Sequence, residues 1–227
     1  MSDALSKFIS STTNAVGKIK QFGSNVGKHV FNAARYLTPE TKETANLSGL
    51  SLTLAKISKA AYQSPRPDTI DNYNLDKELS DPETAIYHNQ SNVIIGFRGT
   101  ANVKDIVTDI DVVRGVTEDP RFKDAITIYN KVKNKYPNLN IIATGHSLGG
   151  TLALYLNTLY NIQSEGFNTG LGLGFLKSNP NKDKATLNII KGDPISSLGA
   201  LSKLGNVRVF NPTTDNPHSM RNYLNQN

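Results

Sequence analysis

Cysteine and tryptophan are both absent from the 227 residues. Without cysteine the chain has no disulfide framework, no thiol nucleophile and no thiolate metal site, and its composition suits a reducing compartment. The four histidines, His29, His88, His146 and His218, show no paired ligand spacing, so no metal is expected. No apolar run approaches the ~20 residues that a membrane-spanning helix requires. Met1 to Lys7 lack the charged and apolar regions of a secretory signal. The expectation is an intracellular or particle-associated protein, peripheral to membranes. Acidic residues are the minority sign, 19 against 25 Lys and Arg, a formal net charge of +6. Such a surface favours anionic partners. The basic residues are dispersed and no nucleic-acid-binding motif accompanies them, so lipid headgroups are the better expectation and no nucleic-acid partner is expected. What is present is a globular composition, 37% hydrophobic and 19% charged, long enough for one packed domain with a modest extension.

The most informative stretch is Ile141-Ile142-Ala143-Thr144-Gly145-His146-Ser147-Leu148-Gly149-Gly150, followed by the apolar-periodic segment Thr151 to Tyr160. A buried strand, a sharp turn carrying G-x-S-x-G and a helix form the context in which that motif exposes a nucleophile. Gly145 and Gly149 lack a Cβ, so strand and helix can close on the turn. The helix N-terminus behind Ser147 supplies free N–H groups and a positive dipole end, which suit a negative intermediate. The simpler alternative is a strand–helix turn whose serine only caps the helix.

Residues 1–37 differ from the rest. Leu5, Phe8, Ile9, Val16, Ile19, Phe22, Val26 and Val30 recur at helical spacing, and Lys7, Lys18, Lys20, Lys28 and Arg35 face a single Asp3. An apolar stripe beside a basic face suits a helix lying on an anionic membrane. Gly17, Gly23 and Gly27 weaken it as a free helix, each by ~1 kcal/mol relative to Ala. A helix packed on the main domain, or a tail, is the competing reading. Thr38-Pro39-Glu40 reads as a stop followed by a new start, and the boundary is placed near residue 42, which divides the chain into residues 1–42 and 43–227.

In the second part the pattern predicts a helix over 46–62, with Leu50, Leu54, Ile57 and Ala61 on one face, and a break at 63–68. Residues 68–82 are polar and unassigned. Strands follow at 83–88 and 92–97, the second ending in Arg98-Gly99-Thr100. Val103 to Val112 is a short segment in which Ile106, Val107 and Ile110 stand beside Asp105 and Asp109, and Asp109 reads as structural. A long helix runs from Asp119-Pro120 to Lys135, with Phe122, Ala125, Ile126, Tyr129 and Val132 inward and Lys131, Lys133 and Lys135 as its solvated side. Beyond the serine, strands are expected near 165–170, 186–190 and 207–210, with a Gly-rich connection at 171–183. Strands alternating with helices argue an α/β fold with a mainly parallel sheet flanked by helices. Active groups in such sheets collect at the carboxyl ends of strands.

Thr100, Ser147, Asp193 and the His218 loop all fall at such ends. A serine hydroxyl requires a base, and the base requires an orienting group. His218 is the sole histidine after Ser147, and Asp193 between them gives the chain order Ser, Asp, His. Asp183 and Asp215 compete for the carboxylate role, and Asp193 is favoured because it directly follows a strand. His146 adjoins the serine, but neighbouring side chains at such a turn point apart, so it is not taken as the base. The oxyanion donors are expected to be the amides of Leu148 and Thr100. For Thr100 the alternative is a loop residue capping the next helix.

These residues resemble the class 3 lipases, the fungal-lipase-like α/β-hydrolases. The likeness is carried by Leu54 to Tyr62 (LAKISKAAY), Val93 to Asp109 (VIIGFRGTANVKDIVTD), Ile141 to Ala153 (IIATGHSLGGTLA), Asp193 and His218 to Tyr223. It implies an α/β-hydrolase fold and cofactor-free hydrolysis of acylglycerol or phospholipid esters. It also implies Ser147 as nucleophile, Asp193 and His218 as its partners, Thr100 and Leu148 as oxyanion donors, and a lid at Ala101 to Ile106. The sequence departs from the family in having no disulfide and no Trp in the lid. It also has Phe-Asn-Thr-Gly where the family often has Gly-x-Pro-Arg.

A lipase or phospholipase acting through an acyl-Ser147 intermediate is the expected function. A membrane-associated binding protein on an inactive hydrolase scaffold is the alternative, and a peptidase or thioesterase would share the chemistry. Removal of residues 1–37 is expected to weaken binding to anionic liposomes while sparing hydrolysis of a short soluble ester. Liposome co-sedimentation and a soluble-ester assay check the two halves of that expectation.

Overall fold

Strands β4 (Thr84–His88), β5 (Asn92–Phe97) and β6 (Asn140–His146) are almost wholly buried, as strands covered on both faces must be. The computed structural model describes residues 42–43, 46–100, 120–170, 181–193, 195–196 and 205–225. The remaining elements are β1 (Lys42–Glu43), α1 (Gly49–Ala60), β2 (Thr69–Ile70), β3 (Tyr73–Leu75), α2 (Pro120–Lys135), α3 (Leu148–Tyr160), β7 (Gln163–Phe167), β8 (Ala185–Ile190), β9 (Asn206–Phe210) and α4 (Arg221–Leu224). A single sheet holds the strands in the order β1-β9-β8-β7-β6-β5-β4-β3-β2. From β1 through β5 every pairing is parallel. The β5-β4-β3-β2 side is antiparallel. This is the mainly parallel α/β sheet that the alternating pattern predicts.

The strict two-residue period sorts β5 between two cores. Val93, Ile95 and Phe97 face Phe122, Ala125, Ile128 and Val132 of α2 and Leu152 and Leu156 of α3. Ile94 faces the opposite way, into a cluster with Leu54 and Ile57 of α1, Phe210, Met220 and Tyr223. Gly96 lets α1 come close, since a Cβ there would lie 2.7 Å from Ile57 Cγ2. The face expected of α1 is the one it buries, with Leu54, Ile57 and Ala61 at 0–1% exposure. On α2, Ile128 is buried, while Ile126 and Tyr129 are half-buried.

Three features depart from the sequence reading. The polar residues 68–82 contain β2 and β3, a small hairpin that buries Ile70 and Tyr73 around a turn at Asp71, whose φ is 51°. Thr53 Oγ1 at 2.6 Å and Lys56 Nζ at 2.5 Å donate to the Asp71 carboxylate and tie that turn to α1. Those bonds hold the carboxyl below its usual range, against the opposing effect of burial. Lys135 is not simply solvated: its ammonium reaches the buried Asp76 at 2.9 Å and Glu78 at 2.6 Å. Glu165, inside β7, is 3% exposed. It accepts from Asn188 Nδ2 at 2.8 Å and Ser51 Oγ at 2.9 Å, and Arg208 stands 3.4 Å away. Burial raises its pKa above the ordinary carboxylate value. Residues 1–41, the 101–106 lid, Asp105, Asp109 and residues 171–180 lie outside the described residues.

Leu54 sits fully buried where α1 meets the sheet. Leu54→Ala is expected to cost about 2–5 kcal/mol of unfolding free energy, as for other cavity-forming core truncations. Urea denaturation followed by circular dichroism measures it.

Candidate active site

β6 delivers the chain to Ser147, whose backbone sits at φ 57°, ψ −126°. A non-glycine residue there is strained by roughly 1–3 kcal/mol, so the surroundings must hold it. They do so by backbone-on-backbone contact. A Cβ on Gly145 would strike the carbonyl of Gly149, and one on Gly149 would strike the carbonyl of Phe97. The amide of Ser147 donates to Phe167 O at 3.0 Å, and its carbonyl accepts from Gly150 N at 3.0 Å. Leu148 begins α3, so its amide has no intrahelical acceptor. The Ser147 Oγ is buried and has no hydrogen-bond partner among the described residues.

The parallel register pairs Phe97 of β5 with Gly145 of β6. The Arg98-Gly99-Thr100 turn therefore leaves the sheet beside the serine. A Cβ on Gly99 would lie 3.1 Å from the Cβ of Ser147. The amide of Arg98 is taken by Glu83 O at 2.9 Å, and that of Gly99 by the Tyr62 hydroxyl at 2.9 Å. Thr100, half-buried, comes next.

Asp193 follows β8 and is fully buried. Its carboxylate accepts from Ile195 N at 3.1 Å, Ser196 N at 3.2 Å and Ser196 Oγ at 2.6 Å. His218 Nδ1 lies 3.0 Å from both of its oxygens. Asp183 precedes β8 and Asp215 lies in the loop after β9, both exposed. With Nδ1 donating to Asp193, neutral His218 presents Nε2 as a bare acceptor. That atom is buried and has no partner among the described residues.

The loop that carries His218 is held from several sides. Asn222 Oδ1 accepts from Thr213 N at 2.8 Å and Thr214 N at 2.9 Å, and its amide donates to Asn216 O at 2.8 Å. Asn168 Nδ2 donates to Pro217 O at 2.9 Å. His146 Nε2 donates to the His218 carbonyl at 2.8 Å, with the two imidazole rings 4.6 Å apart. The sequence assigns no individual role to Tyr62, Asn168 or Asn222, although each falls in a stretch compared with the lipase pattern, and it does not make His146 the base. The partners of Tyr62, Asn168 and His146 are remote along the chain, while those of Asn222 lie within its own loop. His146 is pushed down to about 3, mainly by burial and then by the nearby His218, so it is neutral over the working range. The arrangement has the parts of acyl transfer: a strained, unpartnered hydroxyl, a carboxylate-anchored imidazole with a free nitrogen, and amides at a helix N-terminus and a neighbouring turn.

A family model described as phospholipase-like, the Tle-like phospholipase domain, matches residues 53–192. Among solved structures, the chain is similar to the Lip2 lipase of Yarrowia lipolytica at 16% identity, over 68% of this chain and 78% of that one, with a TM-score of 0.47. It is also similar to a triacylglycerol lipase from Penicillium expansum, at 19% identity over 63% and 70% of the two chains, with a TM-score of 0.44. A lipase from Rhizopus microsporus var. chinensis shows 17% identity over 70% and 73%, with a TM-score of 0.44. No curated protein matches the chain.

The depressed pKa of His146 has a consequence for stability. Unfolding returns the ring to an ordinary value near 6.5, so below that pH the unfolded chain binds a proton that the folded chain refuses. The contribution is fully present above pH 6.5 and is lost as pH falls toward about 3, at up to about 1.4 kcal/mol per pH unit. Glu165, with its raised pKa, acts in the opposite sense at acid pH. The urea midpoint is expected to fall between pH 6.5 and 4.5. The fall should be distinctly shallower in His146→Gln, which cannot titrate.

Proposed function

The chain belongs to the Tle-like phospholipase domain family, for which hydrolysis of lipid esters is the general activity, and from that premise we propose a serine esterase that cleaves acyl esters of phospholipids through an acyl-Ser147 intermediate. The observation that carries this reading is a pair of orphaned atoms. Only four buried side-chain polar atoms among the described residues lack a partner. Two of them are Ser147 Oγ and His218 Nε2. An unsatisfied buried polar atom costs about 1–3 kcal/mol. Its presence on the residues of a Ser-His-Asp set supports a substrate-facing role.

In the proposed reaction His218 Nε2 removes the hydroxyl proton as Ser147 Oγ bonds to the ester carbonyl carbon. The carbonyl oxygen becomes an oxyanion, which the amides of Leu148 and Thr100 receive. Asp193 keeps the imidazole in the tautomer that leaves Nε2 bare and stabilises the imidazolium. The carbon–oxygen bond to the leaving group then breaks, and the departing lysophospholipid alkoxide takes the proton from His218. Water, deprotonated by the same nitrogen, attacks the acyl-serine. Fatty acid leaves, and His218 passes the proton taken from water to Ser147. No cofactor enters these steps.

Phospholipid is favoured over neutral fat by the family description and by the net charge of +6, which draws the chain to anionic surfaces. No described helix is long and apolar enough to cross a membrane. Peripheral association through residues 1–37 of an N-terminal segment 1–42, with 43–227 as the hydrolase domain, is the organisation we propose.

Ser147→Ala is expected to abolish fatty-acid release from mixed phospholipid and triglyceride liposomes, read by mass spectrometry, together with labelling by a fluorophosphonate. Wild-type protein that resists labelling and releases no fatty acid would favour the inactive scaffold instead.

A further inference from the structure

Tyr62 and His146 take no part in the reaction just described, yet both are tied to the two loops that frame Ser147. The Tyr62 hydroxyl lies 2.9 Å from His146 Nδ1 and accepts from Gly99 N at 2.9 Å. His146 Nε2 lies 2.8 Å from the carbonyl of His218. The proton positions follow from elementary donor rules. A carbonyl can only accept, so Nε2 carries the hydrogen. The buried ring is neutral, so Nδ1 is bare and the phenol donates to it at 2.9 Å, with the His146 carbonyl a more distant acceptor at 3.4 Å. The phenol oxygen still has a lone pair free, which takes the Gly99 amide. Burial also holds the Tyr62 hydroxyl protonated, pushing it up to about 12.

We propose that Tyr62 and His146 form a positioning strut, running from the Gly99 amide to the His218 carbonyl, that sets the distance between the oxyanion turn and the base-bearing loop across Ser147. The proposal rests on the serine-esterase reading above. The strut joins four places far apart in the chain: the end of α1, the turn after β5, the end of β6 and the His218 loop. It fits without slack. A Cβ on Gly99 would collide with the Tyr62 hydroxyl and lie 2.5 Å from the His146 carbonyl oxygen. It also decides which amide serves the oxyanion. The Arg98 and Gly99 amides are committed to Glu83 O and the Tyr62 hydroxyl, which leaves the next amide, that of Thr100. At the other end, His218 is fixed by its ring on Asp193 and by its own carbonyl on His146. The Nε2 lone pair is therefore aimed by two anchors.

Tyr62→Phe keeps the ring and removes the hydroxyl. On a short soluble ester it should lower kcat by about 10- to 100-fold, the scale of a sub-ångström to 1 Å misplacement, with KM within about twofold of wild type. His146→Gln keeps an amide nitrogen near the Nε2 position, for the His218 carbonyl, and breaks the link to Tyr62. It should show a comparable loss. If the two residues act as one strut, the double variant is no worse than either single. A Tyr62→Phe enzyme with wild-type kcat, or losses that multiply in the double variant, would overturn the strut. Should Tyr62→Phe not fold, His146→Gln against His146→Leu decides. Leu breaks both links and should lose at least about tenfold more kcat than Gln, and equal losses overturn the proposal. Ser147→Ala is assayed in parallel. Hydrolysis surviving in that variant would sink the serine reading itself. Hydrolysis lost there but untouched in Tyr62→Phe would sink only the strut.

Discussion

Closure of β6 and α3 onto a single strained residue sets the terms for everything else in this molecule. Ser147 sits at φ 57° because the backbones on either side of it touch, Gly145 against Gly149 and Gly149 against the Phe97 carbonyl. Larger residues at those two glycines would push the helix off the sheet and let the serine relax to ordinary angles. The contact with Phe97 also fixes where β5 must lie. β5 is the parallel neighbour of β6 in a register that sets Phe97 beside Gly145. The turn after β5 then has nowhere to go except past the serine. On the other side, β7, β8 and β9 follow in sheet order as they do in sequence. The carboxyl ends of successive strands thus deliver Asp193 and His218 to the same rim that carries Ser147 and Thr100. His146 and His218, 72 residues apart in the chain, meet because the sheet is wound in simple succession.

Much of this was legible in the sequence. The near-continuous apolar runs of β5 and β6, the glycines flanking Ser147 and the Leu50, Leu54, Ile57, Ala61 stripe of α1 are local patterns with one physical reading. Asp193 stood out because it follows a strand, where a rigid element can hold it. The β2–β3 hairpin was not legible, because strands of two and three residues are too short for a period of two to register. Its turn is held by Thr53 and Lys56 of α1 rather than by its own composition. Lys135 looked like one of several solvated lysines because its partners, Asp76 and Glu78, lie far back in the chain. The same holds for Asn168, Tyr62 and His146. Each is a polar residue of ordinary type whose role exists only once tertiary contacts bring remote backbone groups to it. His146 shows the difference well. The expectation that its side chain points away from that of Ser147 was sound stereochemistry, and it carried no information about the carbonyl and the phenol waiting on that other side.

The distribution of hydrogen bonds shows where reactivity is to be sought. Asp193 accepts from two backbone amides, a serine hydroxyl and an imidazole. Asn222 saturates both ends of its amide on the His218 loop. Around them, Ser147 Oγ and His218 Nε2 have no partner among the described residues. Satisfied polar groups rigidify a buried network, while an unsatisfied one is costly in the same low dielectric. The framework supplies the stability that keeps these two atoms in place; in the proposed reaction a substrate carbonyl carbon is brought to Ser147 Oγ, whose proton His218 Nε2 takes.

The electrical state of His146 completes that picture. Its ring stands 4.6 Å from that of His218. Two positive charges at about 4 Å repel by roughly 4 kcal/mol at an effective dielectric of 20. An imidazolium at position 146 would therefore oppose the proton transfer that the proposed mechanism asks of His218. Burial removes the conflict by holding His146 near 3, and the Tyr62 donor reinforces it by occupying the nitrogen that would take the proton. The same neutral ring can then donate to the His218 carbonyl without competing for its proton. Of two adjoining imidazoles, desolvation and one phenolic hydrogen bond make the first a fixed part of the frame. The second, anchored to a carboxylate with its outer nitrogen free, is left as the group able to change charge during turnover.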